Sequence, residues 1–353
     1  MFSSAGAAII VAFLKVAILF VPRTEYVAKV ENITPVEQKN TGFDLKGWEY
    51  RSIKGTDLKV THRYYQYSSE KPNAPVLLCL HGLLFDGRTF LHLRGLSDEF
   101  TLIAYDMPES CPGYTGAMLN YSEIIRDFLV TQRIDRYTLM GVSFGGIVAV
   151  HTAARLRILH PPEALVIVST QIAGVDLLDR RNFLQNYRWI STLPDYKYYW
   201  IVEKIINKLD KGYDDERGGQ MRKMLRVRHI QYYRQLGAAL IGHRSLEDAH
   251  NVSCPALVLH GEKDQLFTEE QMMQSQKALW PAVFRVVEDG THAMTFMRGE
   301  EIAGYVRDYC ETIGVIDRQV PLVEKKPDPP GEEGGYRNVG GGNFGAEAEN
   351  WGQ

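Results

Sequence analysis

Between residues 48 and 170 the hydrophobic positions of the chain fall into two alternating patterns. Short continuous apolar runs bounded by turn residues recur at Pro75–His81 (PVLLCLH), Thr101–Asp106, Arg136–Met140 and Ala164–Thr170. Such runs predict strands buried on both faces of a parallel sheet. Between them, Arg88–Leu96, Tyr121–Gln132 and Ile147–Arg157 carry apolar residues at helical spacing. A hairpin is predicted ahead of them, where Trp48–Ile53 and Leu58–Tyr67 flank the turn Lys54-Gly55-Thr56-Asp57. The alternation is the signature of βαβ units, and it predicts an α/β fold with a mostly parallel central sheet flanked by helices.

The pattern changes over residues 171–251, which lack buried-strand runs and are rich in aromatic and basic residues. Met221, Met224, Leu225, Ile230 and Leu236 form an amphipathic stripe there, with Arg222, Lys223 and Arg226 off it. This stretch is expected to be an inserted helical cap. Strand and helix patterns resume at Pro255–His260, Glu269–Leu279, Val283–Val287 and Glu300–Thr312. The expected organisation is therefore a core of residues 48–170 and 252–316 interrupted by the cap. Residues 23–47 read as a polar lead-in, and the Gly/Pro/Glu-rich residues 317–353 as a disordered tail.

Residues 1–22 are apolar from Ala5 to Val21 except for Lys15, and Pro22 ends the run. The length just suffices to span a bilayer. Three readings stay open: a membrane anchor, a cleaved secretory signal, or a helix lying on a membrane or packing on the cap. The protein is accordingly expected to be membrane-associated through this segment, or secreted or periplasmic if it is removed. Sequons at Asn32, Asn120 and Asn251 would suit an extracytoplasmic domain.

Composition narrows the classes. Apolar residues make up 45% and charged residues 24% of the 353, enough for a sizeable core. A net charge of −3 gives no electrostatic reason to expect nucleic acid as a partner. The four cysteines, Cys79, Cys111, Cys254 and Cys310, are scattered without a C-x-x-C or paired histidines. Neither disulfides, nor a metal site, nor a cofactor is expected. The sequence leaves the oligomeric state open.

The candidate chemistry centres on Gly141-Val142-Ser143-Phe144-Gly145-Gly146. A strand, a G-x-S-x-G turn and a helix make a nucleophile elbow, which lifts a serine from a sheet edge on a strained turn. Gly141 and Gly145 let strand and helix backbones approach without a Cβ clash. A serine hydroxyl is a poor nucleophile without a base, and the base needs an acid to hold its tautomer. Downstream, the strand Leu257–His260 runs into a turn that ends at Asp264, and Phe284–Val287 runs into a loop carrying His292. Groups at the carboxyl ends of parallel strands converge on one crevice, so Ser143, Asp264 and His292 are the expected triad. Glu262 is an equally titratable neighbour and Asp176 the backup acid, while His260 reads as a packed histidine and His81 as structural rather than catalytic. For the oxyanion hole, the N–H of Phe144 is one expected donor. The loop His81-Gly82-Leu83-Leu84-Phe85-Asp86-Gly87 supplies the other, at Leu83 or alternatively Leu84.

With HGLLFDG, GVSFGG, LVLHGEKD and DGTHAM in this order, the chain from about Trp48 to Val315 resembles the α/β-hydrolase family. The likeness is to its capped esterase and lipase-like branch, including the monoacylglycerol lipase-like members. The resemblance implies Ser143 as nucleophile, Asp264 as acid, His292 as base and the Leu83 and Phe144 amides as oxyanion donors. Serine at position 143 disfavours the branches that use an aspartate nucleophile. The chain departs from many relatives at Asp106-Met107-Pro108-Glu109-Ser110-Cys111-Pro112-Gly113, where a D-x-R-G-x-G-x-S segment would carry an arginine.

The expected activity is hydrolysis of small-molecule carboxylic esters, amphiphilic or lipid-like, through an acyl-enzyme. Membrane association through residues 1–22 and the cap would bring such esters to Ser143. C–C bond hydrolysis and cofactor-free perhydrolysis use the same triad. A non-catalytic binding protein on the same fold is the alternative of another class, and an intact triad argues against it.

Overall fold

The computed structural model describes residues 43–83, 85–108, 118–172, 193–194, 196–197, 200, 216–224, 245–279 and 281–317. Residues 1–22, most of the lead-in, most of the 171–251 stretch including Asp176, Leu84 and the tail beyond residue 317 lie outside the described residues.

Eight strands form one sheet in the order β1-β2-β4-β3-β5-β6-β7-β8. They are β1 (Glu49–Lys54), β2 (Thr61–Tyr67), β3 (Val76–Leu80), β4 (Thr101–Asp106), β5 (Tyr137–Val142), β6 (Ala164–Val168), β7 (Ala256–Gly261) and β8 (Ala282–Val287). β1 and β2 form the predicted hairpin, and β2 also runs antiparallel to β4. Every pairing from β4 through β3, β5, β6 and β7 to β8 is parallel. β5 lies inside the sheet, with Gly141 in register with Leu80 on one side and Ile167 on the other. The loops after β3, β5, β7 and β8 therefore leave from one end of the sheet.

The helices are α1 (Met118–Gln132), α2 (Phe144–Leu156), α3 (Glu216–Met224), α4 (Ser245–Ala249), α5 (Glu269–Ala278), α6 (Met294–Met297) and α7 (Gly299–Thr312), with a 3₁₀ helix at Gly87–Leu96. Their apolar stripes cover both sheet faces, which is why the central strands are apolar without alternation. On one face, Leu78, Leu80, Leu139 and Ile167 pack with Phe128 of α1 and Val148 of α2. On the other, Leu77, Cys79, Met140 and Val166 pack with Phe90 of the 3₁₀ helix and Val306 of α7. Met221 and Met224 of α3 are fully buried against the first cluster.

The boundaries around the elbow differ from the pattern-based reading. β5 runs on to Val142 and α2 already begins at Phe144, so the turn shrinks to Ser143 alone. The glycines that read as turn residues are absorbed into the strand and the helix. The segment Arg88–Leu96, helical in its spacing, starts one residue earlier and winds as 3₁₀. The Asp86 carboxylate caps it, accepting from the Arg88 N–H at 3.0 Å. The four-residue helix α6, just beyond His292, is too short to show a period and was not expected. Among the described residues no helix is long and apolar enough to cross a membrane.

Candidate active site

Ser143 stands between β5 and α2 at φ 53° and ψ −117°, a conformation that costs a non-glycine residue of order 1–3 kcal/mol. Its backbone is held from several sides. The N–H donates to Val168 O of β6 at 2.9 Å, and the carbonyl accepts from Gly146 N at 3.0 Å and the Thr170 hydroxyl at 3.2 Å. A Cβ on Gly141 would overlap the Gly145 carbonyl, and one on Gly145 would overlap the Leu80 carbonyl. Only hydrogen at these two positions lets α2 start directly against β3 and β5. The first N–H groups of α2 have no acceptor within the helix, and they place its positive dipole end beside the serine.

The structure brings the three expected side chains together. His292 Nε2 lies 3.0 Å from Ser143 Oγ. Its Nδ1 lies 2.9 Å from Asp264 Oδ2 and 3.1 Å from Oδ1. The Asp264 side chain is fully buried and that of His292 nearly so. Burial by itself would raise the Asp264 pKa. The His292 ring on its carboxylate, with the N–H groups of Leu266 and Phe267 donating to Oδ1, holds it below the usual carboxylate range. With the acid ionised, Nδ1 keeps the ring proton and Nε2 is the free acceptor facing the serine. Beyond the acid, a capping box of Thr268 and Gln271 starts α5 and fixes the end of the same loop.

The competing groups point elsewhere. Glu262 accepts from the Asp289 N–H at 2.9 Å and so braces the loop that precedes His292. His260 is buried and stacked on Phe284, its Nδ1 has no hydrogen-bond partner, and burial pushes its pKa down.

The loop after β3 passes directly beside the serine. A Cβ on Gly82 would sit 3.4 Å from the Ser143 Cβ, an ordinary contact, so this glycine is not demanded by sterics. Leu83 follows in a turn and is partly buried. Among the described residues neither the Leu83 nor the Phe144 N–H donates a hydrogen bond. His81, fully buried, ties the loop down: its Nε2 accepts from the Met107 N–H at 3.1 Å, and its Nδ1 lies 2.9 Å from Gly82 O. Because a backbone N–H can only donate, Nε2 is unprotonated and Nδ1 carries the hydrogen. Asp106 secures the far end of the loop, accepting from Gly87 N at 2.6 Å.

Reasoning from sequence did not find Thr170, Phe267 or Asp106. Thr170 bonds the Ser143 and Val168 carbonyls, and Phe267 sets a ring edge on His292 at 5.5 Å between centroids. A threonine after a strand, an aspartate at a strand end and a phenylalanine ahead of a helix do not by themselves show which residues they touch. Among the described residues no group of three or more His, Cys, Asp or Glu side chains is arranged to hold a metal ion.

Solved structures share this architecture at low sequence identity. An esterase from Thermogutta terrifontis is 19% identical, covers 75% of this chain and 99% of its own, and superposes with a TM-score of 0.61. The enol-lactonase from Burkholderia xenovorans is 17% identical over 73% of this chain and 99% of its own, at 0.60. A membrane phospholipase A, a bacterial virulence factor, is 17% identical over 88% of this chain and 98% of its own, at 0.57. Likeness at this identity establishes the fold. No curated protein matches the chain. Residues 77–304 match the Alpha/beta hydrolase family, a span of more than half the chain, and this protein belongs to that family.

Proposed function

We propose that the protein is a serine hydrolase of carboxylic esters, acting on amphiphilic or lipid-like substrates. The observation that carries this reading is the unbroken hydrogen-bonded line from buried Asp264 through His292 to Ser143 Oγ. In the reaction, His292 Nε2 takes the Ser143 proton as Oγ attacks the ester carbonyl. Asp264 holds the Nδ1 proton and stabilises the imidazolium. The carbonyl oxygen gains negative charge where the Leu83 and Phe144 N–H groups can donate to it. The imidazolium returns its proton to the departing alcohol, leaving an acyl-enzyme. Water, deprotonated by the same imidazole, then releases the acid and restores Ser143. The neighbours named esterase, enol-lactonase and phospholipase A lend support to an ester as substrate.

His81 fits this reading as a positioning residue. Carbonyl and N–H of one trans peptide point in opposite directions, so gripping the Gly82 carbonyl aims the Leu83 N–H. The N–H is thereby oriented before any substrate arrives.

The lipid-like substrate class rests on the apolar run of residues 1–22 and on the aromatic and basic residues of the insertion, among them Phe183, Tyr187, Trp189, Tyr196, Tyr198, Tyr199, Trp200, Tyr232 and Tyr233. Rings and cations of this kind suit the headgroup zone of a bilayer.

Three kinds of variant test the catalytic reading. Ser143→Ala should lower kcat on p-nitrophenyl butyrate by at least ~10³-fold with far-UV circular dichroism unchanged. Activity within a few-fold of wild type would remove Ser143 from the mechanism. Asp264→Asn should cost ~10⁴ in kcat by leaving the imidazole in the wrong tautomer, as in serine proteases, whereas Asp176→Asn should cost far less. The opposite ranking of the two would move the acid to Asp176. His81→Asn retains a donor for the Gly82 carbonyl and should stay within about 3-fold of wild-type kcat, while His81→Gln retains only the acceptor for Met107 and should lose about 10-fold or more at unchanged KM. Equal kcat values for the two His81 variants would show that the Gly82 bond does not aim the donor.

A fourth test addresses the substrate class. Deleting residues 1–22 should leave turnover of short soluble esters nearly unchanged and sharply reduce both vesicle binding and long-chain acylglycerol hydrolysis in vesicles. Equal values for truncated and full-length protein on all three measures would exclude delivery from a bilayer.

A further inference from the structure

His292 does not stand on a free loop. From Thr291 to Arg298 the backbone is a continuous series of turns, with Met294 N donating to Thr291 O at 3.1 Å, Phe296 N to Ala293 O at 3.0 Å and Arg298 N to Met294 O at 2.7 Å. α6 lies in the middle of this series, and its far end is gripped by a residue of α3. Arg217, on α3 within the stretch inserted between β6 and β7, donates from Nη1 to the Met297 carbonyl at 2.7 Å. The same guanidinium meets both oxygens of Glu300, at the start of α7, at 2.9 and 2.6 Å. One planar fork thus holds the last residue of α6 and the first turn of α7 together.

The surroundings make the grip directional. Met221 and Met224 of α3 are buried in the cluster that also takes in Phe296, Ala293 and Met297. Gly299 is pressed against His92 of the 3₁₀ helix so closely that a Cβ there would overlap the His92 Cβ. The α6–α7 junction is therefore in contact with both the 3₁₀ helix and α3. His92 Nδ1 also approaches Glu300, at 3.7 Å. Arg217 is one-third and Glu300 more than half exposed, so a pair of this kind contributes little to global stability. Its consequence is the placement of the turn on which the imidazole rides.

We propose that Arg217 is a positioning residue for His292, coupling the inserted segment to the triad by holding the α6–α7 junction. This rests on the triad reading given above. A displacement of about 1 Å between imidazole and serine is enough to cost up to ~10²-fold in rate. Loss of the grip should therefore appear in kcat rather than in melting temperature or KM.

The experiment compares full-length wild type, Arg217→Ala, Arg217→Lys and Glu300→Gln. The readouts are kcat and KM on p-nitrophenyl acetate, the rate of Ser143 labelling by a fluorophosphonate, and thermal melting. Arg217→Ala should lower kcat and the labelling rate together by about 10-fold or more, with KM within about 3-fold and a melting temperature close to wild type. Lysine is a point donor that cannot meet the carbonyl and both carboxylate oxygens at once, so Arg217→Lys should recover only part of the loss. Glu300→Gln leaves the Met297 bond in place and should lose less than Arg217→Ala. Wild-type kcat and labelling rate in Arg217→Ala would overturn the inference while ester hydrolysis stands. So would a kcat loss that follows the melting temperature across all three variants, since that marks a purely structural contact. A wild-type protein that neither labels at Ser143 nor turns over the ester would overturn the functional reading, and this inference with it.

Discussion

The site depends on one close approach of backbones. α2 can begin directly at the end of β5 only because nothing but hydrogen stands at Gly141 and Gly145, where a Cβ would overlap the Gly145 and Leu80 carbonyls. That approach leaves Ser143 as the whole of the turn and holds it at φ 53°. The strain is offset by the end of β6 and the residues just after it: Val168 takes the serine N–H, and Thr170 bonds the serine carbonyl. A strained residue persists only where the surrounding structure over-determines it, and here the central strands do so. The same geometry presents the hydroxyl to His292 Nε2 and starts α2 at the very next residue.

The electrostatics of the site follow from burial. The Asp264 carboxylate lies out of solvent, where a lone carboxylate would take up a proton. Two backbone N–H groups and the imidazole instead favour the charged form. In the proposed reaction a buried charge with its donors in place would need no reorganisation as the imidazolium forms, which is the condition under which fixed groups stabilise developing charge best. These donors lie in the turn that leads into α5, so that turn takes part in holding the carboxylate on His292.

The loops around the serine hold one another. The exit of β4 supplies both Met107, which donates to His81, and Asp106, which accepts from Gly87. The loop after β3 is consequently clamped at its beginning and its end by residues of the neighbouring strand. On the other side, Glu262 braces the approach to His292 and α3 holds the turn that follows it. Parallel strand ends bring these loops near each other, and short polar contacts between consecutive loops then define their relative position.

Much of this was legible in the sequence. Continuous apolar runs marked the central strands, because residues that alternate between two buried faces must all be apolar, and glycine spacing around Ser143 marked the elbow. The chain order of a serine, an acid and a histidine at strand ends was enough to nominate Ser143, Asp264 and His292, the side chains found together. Other features were settled only in three dimensions. Asp264 and Glu262 are two positions apart and chemically alike, and only the path of the turn after β7 sends one to His292 and the other to the Asp289 amide. His81 read as a structural histidine, and its bond from the Met107 N–H, which leaves Nδ1 to carry the hydrogen facing the Gly82 carbonyl, exists because β3 and β4 are neighbours. Arg217 was one cation among many in a basic stretch, and Met297 and Glu300 lie more than seventy residues away from it. Periodicity and turn chemistry report on contacts within a few residues, whereas a hydrogen bond between distant segments is decided by which strands lie side by side and where each loop is forced to leave the sheet.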